Sequence, residues 1–200
     1  MNQFGSALIL AGGESRRMGF DKQFIEIKGT LLRDELVHSL SQIFEDVIIS
    51  TKRPEIYTSL NVRTVADTLS LKGPMAGVHA ALKSSRSEYL FVIACDMPFI
   101  SPEYIAYMQD CLRAKPAKGI ITSVGEGMVE PFHGFYHRDL SDRIEESSQG
   151  GFPSFKALAE TENFIIVPKE TADFFNNHNK LFLNLNTKEE LLKYAGIEKA

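Results

Sequence analysis

The stretch that most constrains this chain is Ser6-Ala-Leu-Ile-Leu-Ala11, uncharged, apolar beyond its first residue and followed at once by Gly12-Gly13. A strand wetted on one face alternates polar and apolar residues. One without that alternation reads as buried on both faces, as in a parallel sheet. Paired glycines directly after it let the backbone turn sharply and approach a ligand. Arg16, Arg17 and Lys22 follow, with Asp21 set between the arginines and the lysine. Strand, glycine turn and cationic loop make a cradle for a phosphate chain. The same residues also suit a plain turn from a core strand into a solvated loop. The spacing is neither a dinucleotide fingerprint nor a Walker A loop, since Gly13 and Gly19 stand one residue too far apart and Phe20 follows Gly19.

Along the chain, Phe24 to Ile27 is a brief apolar stretch turned by Lys28-Gly29. Leu31 to Phe44 has helical spacing, and Asp46 to Ser50 is a second buried strand. Pro54 starts a short helix through Ile56 and Leu60, and Val62 to Ala66 is a third strand. Gly73 to Gly77 leads into a helix over Val78 to Lys83. Glu88 to Cys95 is a fourth strand, and a helix with Ser101 as cap and Pro102 in its first turn runs to Leu112. Strand and helix alternate, which predicts an α/β fold: a three-layer αβα sandwich around a Rossmann-like, mostly parallel sheet.

The second half is less regular. Gly119 to Ser123 and Glu130 to Tyr136 read as strands joined at Gly125-Glu-Gly127, in a mixed or antiparallel part of the sheet. Helices are predicted over His137 to Ser147 and Ser154 to Glu160, with a strand over Asn163 to Val167 and a polar loop over Asp173 to Asn179. Thr187-Lys-Glu-Glu190 is a capping box for a last helix ending near Gly196. Without a repeat or polar linker, residues 1–200 are expected to form a single domain.

Basic and acidic residues number 22 and 26, for a formal charge of -4. With no basic tract, a small-molecule substrate is expected and nucleic acid is not. Cys95 and Cys111 sit in unrelated contexts, as in a reducing compartment. The first residues show no cationic leader, and no run is long enough to span a membrane. A cytoplasmic protein with no membrane association is the expectation.

Ligands bind at the C-terminal ends of strands in open parallel sheets. There the first strand supplies Gly12 and Gly13, the third Asp67 and the fourth Asp96. A carboxylate directly after Phe-Val-Ile-Ala-Cys is costly to bury alone. Magnesium is one partner for Asp96, and a helix cap or an Asx-turn before Pro98 is the other reading. Asp67 is equally a turn residue. Gly73, Pro74 and Gly77 shape either a loop for a flat ring or a close helix packing. Asn184 and Asn186 alternate with leucines, either facing a substrate or closing a turn. Histidines 133 and 137 are four apart, but across a predicted strand-to-helix change that argues against zinc. Cys95 reads as core, and a triad hydrolase has no G-x-S-x-G elbow.

Leu10-Ala-Gly-Gly13, Ser15-Arg-Arg-Met-Gly19 and Asp21-Lys22 together resemble the signature loop of the molybdenum cofactor guanylyltransferases. The resemblance continues through Asp67, Gly73 to Gly77, Cys95-Asp-Met-Pro-Phe99, Glu130-Pro131 and Asn184-Leu-Asn-Thr187. It implies a nucleotide-diphospho-sugar-transferase-like fold and transfer of GMP from GTP to molybdopterin or Mo-molybdopterin, with Mg2+ and release of pyrophosphate. By motif, Leu10, Ala11, Gly12 and Gly13 would hold the nucleotide through backbone contacts, and Lys22 would contact its phosphates. Arg17 would steady the triphosphate, Asp67 would lie in the guanine nucleotide site and Asp96 would bind the metal. Asn184 and Asn186 match a segment near the active site. Ser50 stands where some members place a nucleotide-contacting asparagine, which loosens the case for guanine. Asp21-Lys22, in place of proline-lysine, favours guanylyl over cytidylyl transfer. The implied partners are cofactor-biosynthesis proteins and molybdoenzyme chaperones, and a monomer is expected. The rival readings are a nucleotidyltransferase of the same fold using CTP or a sugar phosphate, and a non-catalytic nucleotide-binding regulator.

Overall fold

The computed structural model describes residues 2–11, 21–67, 69, 73–148, 154–175 and 180–196. The first half comprises β1 (Ser6–Leu10), a 3-10 turn (Lys22–Phe24), β2 (Glu26–Ile27), β3 (Thr30–Leu31), α1 (Leu32–Ser41) and β4 (Asp46–Ser50). A second 3-10 turn (Pro54–Tyr57), β5 (Arg63–Val65), α2 (Pro74–Ser84), β6 (Tyr89–Ala94) and α3 (Pro102–Ala114) follow. The second half holds β7 (Gly119–Gly125), β8 (Met128–His137), α4 (Leu140–Ser148), α5 (Phe155–Thr161), β9 (Phe164–Val167), α6 (Lys169–Asp173) and α7 (Lys188–Tyr194).

Seven strands form one sheet in the order β5-β4-β1-β6-β8-β7-β9, and β2 and β3 pair as a separate hairpin. β5, β4, β1 and β6 are mutually parallel. β8 pairs antiparallel with both β6 and β7, and β9 lies parallel to β7. The expected antiparallel pair is therefore present, inside an otherwise parallel sheet.

The period-2 alternation of strand side chains builds two cores. Ala7, Ile9, Val47, Ile49, Phe91 and Ile93 face α1 and α3, whose Leu32, Leu36, Leu40, Ile105, Met108 and Leu112 meet them. Leu8, Leu10, Ile48, Leu90 and Val92 face α2 and α4, through Met75, Val78, Leu82, Leu140 and Ile144. This is the three-layer sandwich read from the uncharged runs. The inner strands of the parallel half, β4, β1 and β6, are buried on both faces because each face is covered by helices, whereas the edge strand β5 is polar and partly exposed.

Three expectations are corrected. Helix α2 begins at Pro74, a turn before Val78, because Gly73 takes the positive φ of 97° just before it and Pro74 suits a first turn. His137 belongs to β8, not to a helix: its N–H donates to the Lys118 carbonyl at 2.8 Å and carries the sheet one residue further. Part of the expected polar loop is helical, since α6 runs to Asp173 with a Lys169–Asp173 pair at 2.7 Å. Residues 176–179 of that stretch lie outside the described residues.

Candidate active site

The chain winds outward from β1 to β4 and β5, then returns to the other side of β1 with β6. Such a reversal, here between the ends of β1 and β6, is where open α/β sheets carry their ligand crevice. Leu10 and Ala11 stand at its floor. The Ala11 N–H donates to the Ser50 carbonyl at 3.0 Å, and the Leu10 carbonyl accepts from Cys95 N–H at 3.1 Å. The strand ends carrying Ser50, Ala11 and Asp96 are thus fixed side by side. Asp67 follows β5 on the same edge, beyond β4, and is exposed. Gly12, Gly13 and Arg17 lie outside the described residues.

Asp96 is 6% exposed. Its Oδ2 accepts from the Lys22 Nζ, and the same ammonium donates to Asn186 Oδ1 at 2.7 Å. The Asp96 carbonyl accepts from Leu185 N–H at 2.9 Å. One cation therefore ties the turn after the opening loop, the end of β6 and the C-terminal segment together. The helix-cap reading of Asp96 fails, because Ser101 caps α3 by accepting from Tyr104 N–H at 3.2 Å.

The two asparagines part company. Asn184 Nδ2 donates to the Phe182 carbonyl at 3.1 Å and closes its own turn, while Asn186 faces Lys22. Asn186 is anchored in turn by the capping box. Glu190 Oε2 accepts from the N–H groups of Asn186 and Thr187 at 2.7 and 2.9 Å, and Thr187 Oγ1 accepts from Glu190 N–H at 3.1 Å.

Ser50 is buried at the end of β4, with its side chain against α2. A Cβ placed on Gly77 would lie 2.4 Å from Ser50 Oγ and 2.9 Å from Leu10 Cδ2. Of the two readings of the glycine stretch, close helix packing accounts for Gly77. The glycine lets α2 seat directly against the strand ends that floor the crevice.

Glu130 carries electrostatic weight that its motif alone did not assign. β8 runs antiparallel to β6, so the start of β8 lies by the end of β6. Burial, reinforced by the Asp96 charge, pushes the Glu130 carboxyl up to about 7, although its Oε1 accepts from Phe132 N–H at 2.9 Å. The signal in the sequence is an acid at the head of the apolar run Pro131 to Tyr136. Burial pushes the Cys95 thiol up to about 12, which leaves it an inert core residue. His133 and His137 both lie in β8 but serve separate ends: His133 is fully buried, and His137 pairs with Glu88 and Asp139.

Among the described residues no group of three or more His, Cys, Asp or Glu side chains could hold a metal. Magnesium does not need one, because one or two carboxylates plus substrate phosphates and waters complete its shell. Asp96 and Asn186 already direct hard oxygen donors at one cation, the Lys22 ammonium. That donor set fits a divalent cation bridged to phosphates. No helix among the described residues is long and apolar enough to cross a membrane.

An open doubly wound sheet with a lysine, a buried carboxylate and an amide oxygen meeting at its reversal point defines a nucleotide-handling α/β protein. Residues 7–162 match the model of the MobA-like NTP transferase domain. A molybdenum cofactor guanylyltransferase from Syntrophotalea carbinolica is 41% identical over 192 residues, covering 96% of this chain and 91% of that one. Two solved structures share the fold. One is a molybdopterin-guanine dinucleotide biosynthesis protein A from Archaeoglobus fulgidus, with TM-score 0.83 and 23% identity over 96% of this chain and 97% of the other. The second is a 4-diphosphocytidyl-2C-methyl-D-erythritol synthase from Anaerococcus prevotii, with TM-score 0.70 and 18% identity over 97% and 95%. The chain belongs to the MobA-like NTP transferase domain family.

Proposed function

We propose that this protein transfers GMP from GTP to molybdopterin, releasing pyrophosphate and forming the guanine dinucleotide cofactor. The carrying observation is the Lys22 ammonium, held between Asp96 and Asn186 at the sheet reversal of a chain 41% identical to a guanylyltransferase. An oxygen of the acceptor's terminal phosphate attacks the α-phosphorus of GTP. A new phosphorus–oxygen bond forms, and the bond to the bridging oxygen of the β-phosphate breaks, with pyrophosphate carrying away the electron pair. The attacking oxygen is already anionic, so no strong base is needed, which agrees with a site that draws on no histidine among the described residues.

Asp96, with Asn186 beside it, would hold Mg2+, which supplies charge neutralisation and alignment of the triphosphate when bound. In this reading Lys22 exchanges Asp96 for the nucleotide's phosphates and, with Arg17, stabilises charge on the transferring group and on pyrophosphate. Leu10, Ala11, Gly12, Gly13, Ser50 and Asp67 would form the nucleotide side, and Asn186 the acceptor side, with Asn184 shaping the turn that presents it. Ser50 acts there through its place in the floor, since its side chain faces α2. Residues 1–200 would work as one cytoplasmic, monomeric domain that meets cofactor-biosynthesis proteins and molybdoenzyme chaperones. Calorimetry with GTP, CTP, UTP and ATP in magnesium tests the base. GTP is expected to bind at least about tenfold more tightly than the others, a gap of about 1.4 kcal/mol. Preference for CTP would overturn the reading.

A further inference from the structure

Gln23 follows Lys22 within one 3-10 turn and is only 6% exposed, which is unusual for a glutamine. Both ends of its carboxamide are engaged. Nε2 donates to both oxygens of Asp21, at 3.2 and 3.1 Å. Oε1 accepts from Thr51 Oγ1 at 2.8 Å and from Tyr57 Oη at 2.9 Å. The Gln23 N–H donates to Asp21 Oδ1 at 3.0 Å, and the Gln23 carbonyl accepts from Arg33 at 3.3 Å.

These bonds have a direction. Thr51 directly follows β4, and its own N–H donates to Val65 at 3.1 Å, so it is fixed to the sheet. Gln23 therefore clamps the backbone of the Lys22 turn to the β4 end, while the Lys22 side chain reaches across β1 to Asp96 beyond β6. Lysine is long and rotatable, so its ammonium is placed only as well as its backbone is held. An amide can do this where other side chains cannot. It gives a donor to a carboxylate and one acceptor to two hydroxyls, whereas a glutamate would set its charge against Asp21 and a methionine would abandon every side-chain partner.

We propose that Gln23 is a positioning residue of the transfer reaction, setting the place from which Lys22 acts on the nucleotide's phosphates. This rests on the reading of Lys22 given above, and the experiment separates the two. Pyrophosphate release at saturating GTP and acceptor is compared for wild type, Lys22→Ala, Gln23→Met and the double variant, with thermal melts on each. Gln23→Met is expected to lower kcat by about 10- to 100-fold, the cost of an ångström-scale misplacement. On the Lys22→Ala background the same change is expected to shift kcat by no more than about twofold, because the group it positions is gone. The fall in melting temperature is expected on both backgrounds.

A wild-type kcat for Gln23→Met, or an equal fall on both backgrounds, would overturn the positioning role while leaving Lys22 in place. A wild-type rate for Lys22→Ala would remove the Lys22 reading and this proposal with it. Gln23→Glu is the second variant, decisive even where Gln23→Met does not fold. Its kcat relative to wild type is expected to recover at least about fivefold from pH 8 to pH 5.5, as a protonated carboxyl regains a donor and loses its charge. A ratio that stays flat with pH would overturn the proposal.

Discussion

The Lys22 ammonium is ion-paired with the Asp96 carboxylate, 74 positions away in sequence and on the far side of the β1 end. Lys22 is 26% and Asp96 8% exposed at the side chain, so a buried carboxylate is met by a cation that is still open to solvent. Desolvation of the carboxylate offsets much of the attraction, and the value of the pair lies in holding a cation and a carboxylate where a triphosphate and a hard metal ion would sit.

Asp96→Asn keeps the shape of the side chain and removes its charge. It is expected to reduce turnover at saturating GTP by at least about 10²-fold, in line with losing a major electrostatic contact to the reacting group. The unfolding free energy is expected to change by about 1 kcal/mol or less, as for a partly exposed pair. A pyrophosphate-release assay and a denaturant melt check the two halves. Full activity would remove Asp96 from the site.

Gly77→Ala tests how closely α2 must approach the crevice floor. The new Cβ would meet Ser50 Oγ at 2.4 Å and Leu10 Cδ2 at 2.9 Å, so the helix or the strand ends must give way. A loss of about 1–3 kcal/mol is expected, the usual cost of overpacking. GTP affinity measured by calorimetry is expected to fall too, because the residues displaced end β1 and β4.

Two groups in β8, the half-buried Glu130 and the buried His133, give the stability a pH dependence of opposite signs. The Glu130 carboxyl rises from 4.5 to about 7 on folding, chiefly through burial. The folded protein keeps a proton there that the unfolded chain releases across this window. Stability from this group is therefore full below pH 4.5 and lost as pH rises to about 7. Glu130→Gln removes the effect. Its melting temperature relative to wild type is expected to climb from pH 4.5 to pH 7 and then level off. A difference that is constant with pH would contradict the assignment.

His133 acts in the other direction. Burial pushes its imidazole from 6.5 down to about 3, and neither ring nitrogen has a hydrogen-bond partner. The unfolded chain takes up a proton that the folded protein refuses, so this group's stability is present above pH 6.5 and lost as pH falls towards 3. The ring sits among Phe91, Tyr104 and Phe182. His133→Phe removes two unsatisfied buried atoms but puts a larger ring into a fully buried site at a backbone φ of 61°, so the two effects oppose and the absolute stability is expected to change by no more than about 1 kcal/mol. It is also expected to flatten the acid side of the melting profile.

Legibility of the fold followed the reach of the forces involved. β4 was readable to its end residues because every position from Asp46 to Ser50 is buried, and the caps at Ser101 and Thr187 are local hydrogen bonds with local signatures. The separate fates of Asn184 and Asn186 were not readable. Alternation argues facing only in a strand, and this segment is irregular. Asp96 was recognisable as a costly carboxylate, but its partner Lys22 enters through a contact no spacing encodes. Gln23 was invisible for the same reason, its hydroxyl donors coming from Thr51 and Tyr57 in another part of the chain.

Guanylyl transfer is tested by following products when the protein is mixed with molybdopterin, magnesium and each of GTP, CTP, UTP and ATP. GTP is expected to yield the guanine dinucleotide and one equivalent of pyrophosphate, with the other nucleotides at least about tenfold slower. That ratio corresponds to about 1.4 kcal/mol in the transition state. GTP binding with no pyrophosphate released, or a dinucleotide formed faster from CTP, would contradict it.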